Sequence, residues 1–326
     1  MGASWKFLFK PFLFPIYDWI DRSPFVRKFA TDFIYTKEAG TDFMAISFLV
    51  ILSSTISLAV VFYWQFQYET LPFWLVISYY CCWVGVGGRM MGAAYALGHK
   101  EGHNHHLYRK WIRDSVGNFF ENKLGMFFGN IPYSFSVSHV FIHHRLDGGI
   151  GDTFYQWDLD RSSIFDFVLY VSRIFLHMIG YSSIKYFDAH GQTKKSGLIK
   201  KGILQYLTTG AVIVALLSRY TSFASSLSFI FWIYFQPLFC MTYFLALLNF
   251  GFHGFIEFDE AGKSLPYVNS TTIIEGDDDY FGEDDHMAHH YNANVTHRDL
   301  LAHQASKVCI QVFSPPFFTI LHVLNL

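Results

Sequence analysis

Charge is scarce in this chain. Only 15% of its 326 residues are Asp, Glu, Lys or Arg, against about a quarter in a soluble globular protein. With 52% hydrophobic and 20% aromatic residues, the composition argues against a water-soluble fold and for one whose outer surface meets lipid. Basic excess is also missing: the formal net charge is -2, which points to no nucleic-acid partner. The four cysteines, Cys81, Cys82, Cys240 and Cys309, form neither a CxxC nor a ferredoxin spacing, so no zinc ribbon or iron–sulfur carrier is built in and free thiols are expected. The opening MGASWK has no Ser or Thr at its sixth position for myristoylation and no apolar stretch with a cleavage site, so the chain is expected to enter the membrane by its own spans. Without internal repeats or low-complexity tracts, residues 1–326 are expected to form one domain.

Long apolar runs are what the chain has instead. About 20 apolar residues cross the hydrocarbon of a bilayer as a helix, which predicts four spans at about 43–64, 73–97, 202–217 and 227–250. Residues 1–42 are aromatic but carry Lys6, Lys10, Arg22, Arg27, Lys28 and Lys37, the pattern of an interfacial amphipathic segment. Residues 164–187 are apolar yet contain Asp166, Arg173 and His177, and are expected to lie at the interface or against the rest of the domain. Six Lys and Arg precede the first span and none lies in the loop at 65–72; by the positive-inside rule the N-terminus is cytosolic. Even parity then puts 98–201 and everything after 250 on the same side. The predicted fold is all-α and polytopic, with a cytosolic, histidine-rich helical cap.

Histidine is concentrated where those spans end. His99 and His103 are four apart, so on a helix their imidazoles stack; His139, His143 and His144 follow at i, i+4 and i+5; His286, His289 and His290 at i, i+3 and i+4. His253 directly follows the last span. Interfacial histidines without a metal would not be expected to repeat such spacings. These nine are too many for one ion and suit two, at four to five ligands each; imidazole suits iron, copper or zinc. Among neighbours, Glu101, Asp152, Asp284 and Asp285 are candidates to orient ligand imidazoles by accepting their distal N–H. Asn249, His105 and His106 are further candidates around the centre, with a surface role as the alternative for the two histidines. The acidic run of Asp277, Asp278, Asp279, Glu283, Asp284 and Asp285 also reads simply as a solvated loop. His177, His190, His297, His303 and His322 have no partner spacing and read as structural. Small residues Gly88, Gly92 and Ala96 precede His99 on one arc of a continuous helix, and Thr242, Ala246 and Asn249 precede His253 similarly; two such faces would wall a substrate cavity. Val84 and Met91 are then lipid-facing. Arg89, alone in an uncharged span, reads as a headgroup contact or a structural ion pair.

HxxxH at 99–103, HxxxHH at 139–144, the block NFGFHG at 249–254 and HxxHH at 286–290 together resemble the membrane fatty-acid desaturase and hydroxylase superfamily. Their order, with a lone histidine after a span, looks most like that of the integral-membrane alkane monooxygenases. The likeness covers about 200 residues, and departs from those enzymes in span number and in having Phe250 and Phe252 where they have tyrosine and glutamate. It implies two iron ions held by the nine histidines, O2 as co-substrate and a long apolar lipid chain as the molecule oxidised. The sequence has no haem-binding HPGG box and no flavin-type GxGxxG. Electrons are therefore expected from a separate donor, a b-type cytochrome, ferredoxin or rubredoxin with its reductase. Hydroxylation, desaturation and epoxidation of an isoprenoid or sterol-precursor chain remain open, and the competing class is a zinc transporter or non-catalytic metal protein. In a eukaryotic cell the endoplasmic reticulum membrane is the expected location.

Overall fold

A computed structural model describes residues 14–36, 38–84, 89–104, 106–253, 257–262, 265, 270, 286–293, 295, 299–300 and 302–303. Among these the protein is helical, with no strand beyond a single antiparallel bridge between Tyr35 and Tyr108. Three helices are long and apolar enough to cross a membrane, or four if one bent pair counts as a span.

The first of these, α3 (Met44–Tyr68), follows α1 (Phe14–Arg22) and α2 (Pro24–Phe29). It has no charged residue, and with its first turn it runs over Thr41–Tyr68, 28 residues, or about 42 Å at 1.5 Å per residue, more than the roughly 30 Å of hydrocarbon. Buried Asp21 of α1 accepts a hydrogen bond from the Ala45 N–H at 2.9 Å, satisfying one of the helix's free N-terminal donors. The helix stops at Glu69, in left-handed backbone with its N–H on the Gln65 carbonyl.

Where one span is expected at 73–97, the described residues form α4 (Phe73–Trp83), shorter than a membrane crossing, and α5 (Arg89–His103); residues 85–88, Gly88 included, lie outside the described residues. The third and fourth expected crossings are present but longer: α10 (Thr193–Leu217) begins with Lys194, Lys195, Lys200 and Lys201, and α11 runs from Phe223 to Phe252. Within α11, residues Phe231–Phe235 are a π-helical turn next to Pro237, which has no N–H to return to the turn before it.

Residues 164–187 pack against the rest of the domain, one of the two expected placements, with the Tyr170 and Phe250 rings 5.5 Å apart. They form α8 (Ile164–Met178) and α9 (Tyr181–Ala189), bent by 69° and together long and apolar enough for a broken span or a re-entrant pair. Gly180 makes the corner in left-handed backbone (φ 80°), and a Cβ there would lie 2.7 Å from Ile199 Cγ2 on α10, so only glycine fits. Inside the bundle, Trp83 stacks on Phe128 with ring centroids 5.0 Å apart. The N-terminal segment is tied beside the first histidine pair: the Thr36 N–H donates to the Leu107 carbonyl, and that of Arg109, just before α6 (Lys110–Ser115), to the Ile34 carbonyl.

Candidate metal centre

Nine histidines from four segments converge into two groups. His99, His103, His139, His144 and His289 form one; His143, His253, His286 and His290 form the other; within each, one ring nitrogen per residue lies within 4.8 Å of all the rest. All nine sequence candidates are brought together.

Local helix geometry decides which histidine joins which group. On α5, His99 and His103 are one turn apart and their Nε2 atoms lie 3.0 Å from each other. The second cluster sits on a π-helix, Ser134–His143, continued by a turn at His144–Leu146. At the α-helical 100° per residue His144 would point about 140° away from His139. The wider π turn, bonded i to i+5, brings them together instead, with Nε2 atoms 2.9 Å apart, and His143 is left to face the other group. On α12 (His286–Tyr291) the i, i+4 pair His286 and His290 faces the four-histidine group, while His289, 60° to the side, crosses to the five. His253 sits directly past the end of α11 with Nε2 3.0 Å from that of His143 and 3.1 Å from that of His286. The groups adjoin: the rings of His144 and His290 stack at 4.2 Å.

These contacts cannot all be hydrogen bonds. The Nε2 of His99 has the Nε2 atoms of His139, His103 and His289 at 2.7, 3.0 and 3.1 Å, and one ring nitrogen offers a single proton or a single lone pair. The Nε2 of His290 is buried with no hydrogen-bond partner. Burial, and then the neighbouring imidazoles, hold His139, His144, His286, His289 and His290 well below the usual histidine range, so these rings are neutral, the form that ligates metal. Nitrogens 2.7–3.1 Å apart are close enough to share one ion, since two donors each about 2.1 Å from a metal lie about 3.0 Å apart at right angles.

Around the candidate ligands, the Oδ2 of Asp152 accepts from His143 Nδ1 at 2.9 Å. Burial alone would raise its carboxyl, but the imidazole and the Phe154 and Gly148 N–H groups hold it below the usual carboxylate range. Asp147, absent from the sequence candidates, does the same for His290 Nδ1 at 2.9 Å. It stands in left-handed backbone (φ 47°), where Asp is tolerated better than most residues, and the Asp147-Gly148 turn signal was its only local trace. Gln156 and Arg161 were also unforeseen. The Gln156 amide donates to the carbonyls of Asn249 and His253 at 2.8 and 2.9 Å, and the Arg161 guanidinium to those of Phe250 and His253 at 2.6 and 2.7 Å. Together they close the C-terminal carbonyls of α11 and fix the peptide of His253.

Other candidates are placed elsewhere. Glu101 orients no imidazole: it is buried, its oxygens accept from the Tyr108 hydroxyl at 2.6 Å and the Glu121 N–H at 2.7 Å, and burial pushes its carboxyl up to about 8. Glu121, on α7 (Phe119–Asn122), accepts in turn from the Ser136 N–H at the start of the π-helix. His106 is exposed and hydrogen-bonds Arg113. Asn249 is buried, but its contact with the centre is through its backbone carbonyl. His105, Asp284 and Asp285 lie outside the described residues, as does the side chain of Arg89. Thr242 and Ala246 are buried on α11. Gly92 and Ala96 are buried on α5, but so are Met91, Ala93, Ala94, Tyr95 and Leu97, so this helix is enclosed on every side and Met91 does not face lipid. His177, read as structural, is buried with Nδ1 2.8 Å from the Thr153 hydroxyl.

Fold and site thus define an all-helical protein with apolar helices of membrane-spanning length and two adjoining histidine groups able to hold metal. No protein-family model, curated protein or solved structure matches the chain.

Proposed function

We propose that this protein is a membrane-bound non-haem di-iron oxygenase that hydroxylates or desaturates a long apolar lipid chain, using O2 and electrons from a separate carrier. The observation that carries the reading is the division of nine imidazoles into groups of five and four around two points, the donor set for two adjoining metals. Iron in these groups would supply the redox chemistry with O2 that attack on an unactivated C–H bond requires, which zinc does not supply. The chain's own residues hold five of the imidazoles, those of His139, His144, His286, His289 and His290, neutral, orient two through Asp147 and Asp152, and bury the four-histidine group away from water. By charge distribution the centre faces the cytosol, at the endoplasmic reticulum in a eukaryotic cell, where a soluble or membrane-anchored electron donor reaches it.

A zinc transporter is the less favoured reading. It would hold ligands near the middle of its spans, whereas every ligand here lies outside the helices of spanning length. The deciding experiment is lipid analysis of cells expressing the chain under 18O2, beside His143→Ala and His286→Ala variants. A lipid that gains one 18O or loses two hydrogens only with the intact chain supports the reading and separates hydroxylation or epoxidation from desaturation. Identical lipids in all three strains, with iron-loaded protein present, refute it.

A further inference from the structure

We infer that the two histidine groups hold metal unequally: the four-histidine group retains its ion, and the five-histidine group exchanges it. This rests on both groups being metal sites, and it adds an order of loading and release.

Burial is the first difference. His143, His253, His286 and His290 are 1, 2, 4 and 8% exposed, whereas His103, His144 and His289 of the other group are each partly exposed. The five-histidine group is thus the more accessible of the two to a chelator or competing ion.

The second difference is support. A ligand imidazole that gives its distal N–H to a carboxylate is fixed in orientation and made a stronger donor, and removing such a partner typically lowers metal affinity by about 10–100-fold. Two of the four ligands have this arrangement, His143 with Asp152 and His290 with Asp147, each at 2.9 Å. One short loop supplies both carboxylates. Asp147 N–H donates to the His143 carbonyl at 2.7 Å, and Gly148 N–H to Asp152 Oδ2 at 2.8 Å, so the loop is locked to the helix whose ligand it supports. A third ligand, His253, has its peptide held by Gln156 and Arg161. In the five-histidine group the Nδ1 of buried His139 has no hydrogen-bond partner, so no such bond fixes that ring; the difference in support rests on the carboxylates at His143 and His290. The left-handed backbone at Asp147 fits this role, since strained non-glycine residues persist where the surroundings hold them for function.

Asp147 and Asp152 are thus positioning residues for one metal and not the other. The test uses the full chain in detergent, loaded anaerobically with iron(II) and challenged with excess 2,2′-bipyridine, with iron release followed by absorbance and retained iron by mass spectrometry. Release in two phases is expected, one iron per chain leaving fast and one slowly. Asp147→Asn and Asp152→Asn should each speed the slow phase by about 10–100-fold and leave the fast phase unchanged, and circular dichroism shows whether each variant keeps the native helix content. His103→Ala, at the partly exposed group, should abolish the fast phase alone. Loss of both irons in one phase, or acceleration of only the fast phase in folded Asp variants, overturns the inference. A chain that never binds two irons overturns the reading beneath it as well.

Discussion

Gly102 lies between the two ligands of α5, where that helix meets the backbone of the π-helix carrying His139 and His144. A Cβ there would stand 2.5 Å from Phe135 Cβ, 2.9 Å from Phe135 C and 3.0 Å from Ser136 N. Carbon atoms in ordinary contact are about 3.5–4.0 Å apart, so Gly102→Ala must part the two helices by about 1 Å. Metal ligation tolerates about 0.2 Å, and the nitrogens held in register across this contact, His99 and His139 Nε2, are 2.7 Å apart. The five-histidine group should lose its metal, while the four-histidine group, which has no ligand on α5, keeps its own. Overpacking of this kind costs about 1–3 kcal/mol, reduced by the roughly 1 kcal/mol that alanine gains over glycine in a helix. Gly197→Ala and Gly251→Ala are the controls, because a Cβ at either helical position meets nothing within 4 Å. Both should keep full metal, and the Gly197 variant should gain up to about 1 kcal/mol. Thermal unfolding and metal analysis of the purified variants decide it. A Gly102→Ala protein with undiminished metal and a raised melting temperature would refute the packing account.

Arg161→Ala removes two donors from the carbonyls of Phe250 and His253 and should cost about 1–3 kcal/mol, with weakened metal retention in the four-histidine group; thermal melts and chelator challenge report both, and Arg161→Lys, which lacks the forked guanidinium, should restore only part. Tyr108→Phe leaves buried Glu101 without its hydroxyl donor and should cost a similar amount by thermal unfolding, again about 1–3 kcal/mol. For orientation, a glycosylation acceptor placed in residues 65–72 should be modified in the lumen while one beside Arg113 should not; the reverse pattern would overturn the charge-based topology.

The metal groups were legible because ligand spacing is a local property. HxxxH, HxxxHH and HxxHH report helical periodicity directly, and the i+5 position of His144 foreshadows the π turn that uses it. What assigns each histidine to its group was not legible, because it depends on how helices distant in sequence meet: His99 and His289 are 190 residues apart and their Nε2 atoms 3.1 Å. The same reason hid Asp147, whose partner lies 143 residues away. At 73–97, where apolar side chains suggested one span, the described residues form two helices, and neither Phe73–Trp83 nor Arg89–His103 is long enough by itself to cross. At 164–187 Asp166, Arg173 and His177 argued against a simple crossing, and the charged groups there find partners: Arg173 forks onto Asp158, and Asp166 accepts from the Asp160 N–H. Small residues on α5 gave a misleading stripe, since that helix is buried on all sides.

The most direct test of the central claim is iron analysis of the purified chain together with X-ray absorption at the iron edge. The account predicts two irons per chain in a first shell dominated by imidazole nitrogen, falling to about one when His286 is replaced by alanine. Zinc at both sites with no redox response, or a metal content that is the same with and without His99, His143 and His286, would contradict it.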